Sequence, residues 1–291
     1  MKLSVITICY NEKNIRKTCE SIVGQSWQDF EWIVVDGGST DGTLDVLNEY
    51  RDRIDVLISE PDNGIYNAMN KGIARARGEW LNFMNGGDAF CDKTVLEQVF
   101  GGGSMDFTKQ LNGFAEEQVF GGGSSRDGAD VLYGDMLCRG KVHKMPVAID
   151  ADFFINGSIN HQSSFIRAAL FREQGGYNEN YRVLSDVEKW IVWMKAGRVF
   201  RYLPVVVADF DAGGVSSSGS RLTKAEKAKI IARYYTTEEL AANRAGQKVC
   251  WTVKLFGFLV LLKIRKEPFQ DTFRVNLFGF VPLLKIRKNT K

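Results

Sequence analysis

Three aspartates in the 291-residue chain stand where an open α/β sheet exposes chemistry. Asp36 follows the apolar run Phe30–Val35 directly, and Asp88 closes Asn85-Gly86-Gly87-Asp88 after Trp80–Met84. Asp186 precedes a stretch in which Val187, Trp190, Ile191 and Met194 recur at helical spacing. A carboxylate at the carboxyl end of a strand can accept from a ribose hydroxyl or a base N–H. One set among glycines suits a hard divalent cation, which takes one or two carboxylates and completes its shell with substrate phosphates. A carboxylate on the first turn of a packed helix sits on a rigid element, as a proton acceptor requires. Taken alone, Asp36 or Asp88 reads first as a turn cap, because Asp caps strand-end turns in any α/β protein.

The surrounding pattern supplies elements to hold these groups. Leu3–Ile8, a β-branched run, and Phe30–Val35 read as buried strands, and Val56–Ser59 and Trp80–Met84 as the third and fourth strands. Between them Asn14–Gly24, a segment from Asp41 or Gly42 to Arg51, and Ile65–Ala76 place apolar residues on one helical face, with Asp41 a candidate N-cap. This alternation predicts a mainly parallel, Rossmann-like sheet flanked by helices, with ligands at the carboxyl ends of its strands. Further on, Ala129–Leu132 and Tyr202–Asp209 read as strands, and Ile166–Gln174 and a segment from Asp186 as helices. Trp190 and Trp193 read as core or interface, with stacking on a sugar the alternative if exposed.

Composition bounds the rest. The chain is 44% hydrophobic and 25% charged, the profile of a globular protein. Residues 248–291 carry ten Lys and Arg against two acids, a net +8 within a chain total of +3, which leaves −5 for residues 1–247. The basic character therefore belongs to the tail, which argues against nucleic acid as the partner of the main body. Glu97–Ser104 returns unchanged as Glu117–Ser124, a glycine-linked duplication with no expected catalytic role. In the tail, LFGFLVLLKIRK at 255–266 returns as LFGFVPLLKIRK at 277–288; apolar blocks abutting cations suit an anionic membrane surface, a core-packing extension or a dimer contact. Five scattered cysteines form no CxxC pair and suggest a reducing compartment, and the opening Leu3–Tyr10 run reads as a strand rather than a leader.

Four motifs, in order, resemble those of family 2 glycosyltransferases of the GT-A fold: Thr7–Glu12, Val34–Thr43, Ser59–Gly72, and Gly78 through Asp88. Weaker matches at His161-Gln162, Gly175–Tyr177, Ser185-Asp186 and Phe210–Ser216 extend it to about residue 220. The chain looks most like members that build bacterial capsule, exopolysaccharide or lipopolysaccharide. The resemblance implies nucleotide-sugar contacts at Thr7, Tyr10, Asn11, Asp36, Asp62, Asn63, Asn70, Asn85, His161 and Gln162. It implies Asp88 as ligand of Mn2+ or Mg2+ and Asp186 as general base of an inverting transfer from a UDP- or GDP-sugar to a glycan or polyprenyl-linked acceptor. Asn85 and Gly87 stand where the family has further acids, which leaves one carboxylate at the metal. His161 alone reads as a packed structural histidine; the His-Gln match adds a substrate-contact role.

The expected organisation is a catalytic domain over residues 1–220, divided into a nucleotide-binding half (1–90), the repeat insert (97–124) and an acceptor half (129–220). A helical, basic, membrane-proximal region would follow over 221–291, where Thr236 and Glu239 have capping-box spacing, placing the enzyme peripherally on the inner face of a bacterial membrane. Two other readings stay open: a non-catalytic sugar- or nucleotide-binding scaffold, and a sugar-phosphate nucleotidyltransferase. The latter calls for a basic, glycine-rich loop after the first strand, where this chain has Cys9–Glu12.

Overall fold

The computed structural model describes residues 1–101, 128–211 and 221–246, with side chains as far as Asn243, and the backbone of 248–255, 258–266, 273–281 and 289–290. Strands β1 (Leu3–Cys9), β2 (Phe30–Asp36), β3 (Val56–Ser59) and β4 (Trp80–Phe83) pair in parallel in the order β3-β2-β1-β4. All seven residues of β1 are buried, as expected for a strand covered on both faces. Helices α1 (Ile15–Val23), α2 (Thr43–Glu49) and α3 (Ile65–Arg75) make the connections, and Cys19, Leu47 and Met69 supply their fully buried contacts.

Beyond β4 the sheet changes direction. The short β5 (Ala89–Phe90) and α4 (Val95–Phe100) are followed by β6 (Val131–Cys138), β7 (Lys141–His143), α5 (Phe153–Asn156), β8 (Ser164–Arg167), α6 (Ala168–Gln174), α7 (Ser185–Lys195) and β9 (Phe200–Phe210). Antiparallel β8 lies between β4 and β6, and β9 runs parallel to β6 and antiparallel to β5. Because β8 opposes β4, the residues just before Ser164 lie at the same edge as those just after Phe83. The expected helix from Ile166 starts two residues later. Phe165 and Ile166 are wholly buried in β8, where they fill the slot between β4 and β6 better than a helix would.

Helix α8 (Arg221–Tyr234) follows, then α9 (Thr237–Gly246). The capping box forms: Thr236 N–H donates to Glu239 Oε2 at 2.7 Å and Glu239 N–H to Thr236 Oγ1 at 3.2 Å. Ile230 and Tyr235 are buried in the same core as the sheet. The helical reading of the tail gives way after Gly246 to strands β10 (Lys248–Leu255), β11 (Phe258–Lys266), β12 (Phe273–Val281) and β13 (Asn289–Thr290), a separate four-stranded sheet whose pairs are antiparallel. Val249, Thr252, Val253, Val260, Ile264 and Val275 are β-branched and lose rotamer freedom in a helix, while Gly279 weakens one further. Residues 102–124 of the repeat and the 213–217 loop lie outside the described residues.

Candidate active site

At the carboxyl edge Asp36 is fully buried. Its carboxylate accepts from Gly38 N–H at 3.1 Å, Ser39 N–H at 3.0 Å and Ser59 Oγ at 2.7 Å, and also from Ser39 Oγ. These bonds fold the 36–39 loop around the carboxylate and tie it to β3. Asn11, at a φ of 48°, donates its N–H to Ser39 Oγ and accepts from Thr40 N–H through Oδ1, both at 2.8 Å, which joins the loop after β1 to the loop after β2. Gly37 brings these loops close to Asp62 and Tyr10: a Cβ there would lie 2.6 Å from Asp62 Oδ2, which would have to swing aside, and 3.4 Å from Tyr10 Cβ. Tyr10, 63% exposed, and Asp62 thus both approach Gly37, with exposed Asn63 next in the chain. Asp41 does not take the N-cap position of α2; Gly42 does, and Asp41 accepts from Thr43 N–H and Oγ1 instead.

The Asn85–Asp88 turn is held from α1. Thr18 Oγ1 donates to Asp88 O at 2.6 Å and accepts from Gly87 N–H at 2.9 Å, and Gly87 has a φ of 89° that favours glycine. Asp88 is 4% exposed. Its Oδ1 accepts from Asp211 N–H at 2.8 Å and its Oδ2 from Gln162 Nε2 at 2.7 Å. Burial pushes the carboxyl up to about 6, against those two bonds, which favour the charged form.

Gln162 and His161 lie in a 3-10 turn just before β8, fixed by Asn82 Nδ2 donating to Gln162 O and Ser164 O. His161 Nε2 is 2.9 Å from Asn85 Nδ2 and its Nδ1 is 3.1 Å from Asp186 Oδ2. With Nδ1 protonated the ring donates to Asp186, and its Nε2 then accepts from the Asn85 amide. Asp186 Oδ1 accepts from Val187 N–H at 2.9 Å and lies 3.0 Å from the Tyr66 hydroxyl, which also reaches Val183 O at 2.7 Å. Burial and the Asp186 charge push the Tyr66 phenol well up, so it stays a donor.

The structure therefore gathers Asn85, Asp88, His161, Gln162 and Asp186 at one edge, and Tyr10, Asn11, Asp36, Asp62 and Asn63 along the adjoining loops. Two expected contacts lie elsewhere. Thr7 is fully buried with its hydroxyl accepting from Trp32 Nε1 at 3.0 Å, so its side chain belongs to the sheet interior. Asn70 is spent on the 175–179 loop, donating to Tyr177 O and Glu179 Oε1 and accepting from Tyr177 N–H. Trp190 and Trp193 are fully buried core residues, which removes stacking on a sugar. Thr18 and Tyr66 were not foreseen as site residues; a threonine on the apolar stripe of α1 was the available signal for the first.

Among the described residues no group of three or more His, Cys, Asp or Glu converges as a metal cage. What the Asn85–Asp88 turn offers is the Asp88 carboxylate and Asn85 Oδ1, a buried oxygen with no hydrogen-bond partner. Two hard oxygens fit a divalent cation that takes its other ligands from phosphate and water.

An open, mainly parallel sheet with carboxylates and amides along its carboxyl edge is the architecture of a GT-A transferase. The glycosyl transferase family 2 model matches residues 4–101. A PGL/p-HBAD biosynthesis glycosyltransferase of Mycobacterium tuberculosis (strain H37Ra) is 32% identical over 222 residues, 74% of this chain and 79% of the relative. TuaG of Bacillus subtilis, named for teichuronic acid biosynthesis, is 28% identical over 237 residues, 79% of this chain and 87% of TuaG. Among solved structures, S. aureus TarS 1-349 in complex with UDP-GlcNAc superposes with a TM-score of 0.58 at 20% identity, covering 84% of this chain and 70% of that one. The mannosyltransferase PcManGT of Pyrobaculum calidifontis, in complex with GDP-Man and Mn2+, gives 0.53 at 15% identity over 83% of this chain and 67% of that one. The chain belongs to glycosyl transferase family 2 and is a glycosyltransferase of the hexosyltransferase type.

Proposed function

We propose that the protein is an inverting glycosyltransferase that moves a sugar from a UDP- or GDP-sugar to a glycan or polyprenyl-linked acceptor in bacterial surface polysaccharide synthesis. One observation carries the reading. Adjacent residues His161 and Gln162 bond to Asp186 and Asp88 respectively, so two carboxylates of different role are tied together at a single sheet edge. Tyr10, Asn11, Asp62 and Asn63 would contact the nucleoside, and Asp36 shapes the 36–39 loop beside them. Asp88 and Asn85 Oδ1 would hold Mn2+ or Mg2+, which when bound offsets the charge developing on the departing diphosphate. Asp186 accepts the proton of the attacking hydroxyl, and His161 and Tyr66 orient its two oxygens. One displacement assisted by one base inverts the anomeric centre.

The basic tail supplies peripheral docking on the anionic inner face of the membrane. No helix among the described residues is long and apolar enough to cross a bilayer. The site reading is tested with a panel of UDP-, GDP- and TDP-sugars, with and without Mn2+, on wild type and Asp186→Asn. At least one donor is expected to bind both proteins with Mn2+ dependence, and turnover by the variant to fall at least ~100-fold, the low end for loss of a general base. Turnover by Asp186→Asn at the wild-type rate would place the base elsewhere, with Asp135 or Asp211 next in line.

A further inference from the structure

Helix α8 lies beyond all the motifs that carry the family resemblance, yet it places two buried charged groups against the loops that deliver Asp186 and His161. Glu226 is 5% exposed. Its Oε1 accepts from Arg182 N–H at 2.7 Å, and its Oε2 from Val183 N–H and Leu184 N–H, both at 3.0 Å. Three successive backbone N–H groups converging on one point form a nest for an anion, and the Glu226 carboxylate fills it. Leu184 is the residue that caps α7, so the chain leaves this nest directly into the turn that bears Asp186. The Tyr66 hydroxyl meets the same segment, with Val183 O at 2.7 Å and Asp186 Oδ1 at 3.0 Å sharing its one proton.

The next residue acts on the second loop. Lys227 Nζ donates to Phe154 O at 2.5 Å and Gly157 O at 3.1 Å, pinning the segment that runs from α5 toward His161. One turn of α8 thus grips the approaches to both members of the Asp186–His161 pair. Ile230 anchors that turn in the core with no exposed surface.

We infer that Glu226 is a positioning residue, which sets the Asp186 carboxylate against His161 by fixing the backbone of residues 182–184. The inference rests on the proposal that Asp186 is the base. A buried carboxylate that serves only to hold the fold would also be consistent with loss of stability on substitution, so the test must separate binding from turnover.

Glu226→Gln keeps the volume but presents an amide N–H to the nest in place of one acceptor. Hydrogen exchange is expected to accelerate at residues 182–187 of the variant while β1, β2 and β4 keep their protection. With the nucleotide sugar that the wild type hydrolyses fastest in the UDP, GDP and TDP panel, kcat is expected to fall at least tenfold. KM and the affinity for the free nucleoside diphosphate are expected to stay within twofold. Should Glu226→Gln fail to fold, Glu226→Asp, which keeps the charge on a shorter arm, is read in the same way. Unchanged exchange at 182–187, or wild-type kcat in Glu226→Gln beside an inactive Asp186→Asn, would overturn the inference and leave the base assignment standing. A drop in Glu226→Gln beside a fully active Asp186→Asn would overturn the base assignment and the inference with it.

Discussion

Replacing Asp88 by Asn is expected to stabilise the unliganded protein at neutral pH. The carboxyl is raised by burial from its ordinary 3.8 to about 6, which penalises the ionised form by about 3 kcal/mol. Because the folded value lies above the unfolded one, the folded state favours the protonated acid. The stability this contributes is fully present below about pH 4 and is lost as pH rises through about 6. Asparagine is neutral throughout and keeps the geometry: its oxygen accepts from Asp211 N–H, and the Gln162 amide turns over to accept from its nitrogen. At pH 8, with nucleotide absent and divalent metal chelated, Asp88→Asn is expected to gain up to about 3 kcal/mol, or roughly 6–12 °C in Tm for a domain of this size. The gain shrinks to near zero by pH 4. Thermal unfolding of both proteins across that range reads the difference, in which the other titrating groups cancel. Metal-dependent nucleotide binding is expected to disappear in the same variant, the trade of stability for function common at binding sites. A difference that stays constant from pH 4 to 8, or a wild type that is the more stable at pH 8, would refute the reasoning that Asp88 is held ionised against its burial.

Three further outcomes are expected. Thr18→Val, which keeps the shape but leaves buried Gly87 N–H and Asp88 O without their partner, is expected to cost about 1–3 kcal/mol and to weaken nucleotide binding, both measurable by thermal shift; unchanged binding would separate the turn from the site. Removing residues 248–291 is expected to weaken pelleting with anionic vesicles, and high salt to mimic part of the loss in the intact chain. Salt-insensitive pelleting of the truncated protein would count against the docking role. Deleting residues 101–120 regenerates a single EQVFGGGS and keeps the buried α4 residues Val95, Leu96, Val99 and Phe100. Donor hydrolysis is expected to be nearly unchanged, and a large loss in a folded variant would assign the repeat to the acceptor site.

The parallel half of the fold was legible because its signals are local. Each of β1 to β4 is a short apolar run, β1, β2 and β4 are buried and β3 is half-buried at the sheet edge, and each ends at a polar turn that the sequence marks with Asp, Asn or Gly. The antiparallel half was harder. Ser164–Arg167 spans four residues and merges into α6 without a break, and Ala89–Phe90 spans two, so neither has room for a period. Strand pairing across the sheet decides such segments, and pairing partners are distant in sequence. The site shows the same division. Asp36, Asp88 and Asp186 could be singled out from their positions at element ends. That His161 and Gln162 join the last two follows from β8 opposing β4, which residue spacing does not encode. For Thr7 and Asn70 the motif gives the position, but the engagement of Thr7 with Trp32 and of Asn70 with Tyr177 depends on packing. The grip of Glu226 on residues 182–184 has no local signal at all, since a glutamate on a charged helix ordinarily faces water.

The most direct measurement is the configuration of the sugar released from an α-linked nucleotide sugar, followed by proton NMR from the first turnover before mutarotation. With the donor selected from the panel, the wild type is expected to release the β-anomer first and Asp186→Asn to release none above background. Release of the α-anomer first, or equal release by both proteins, would contradict an inverting transfer driven by Asp186.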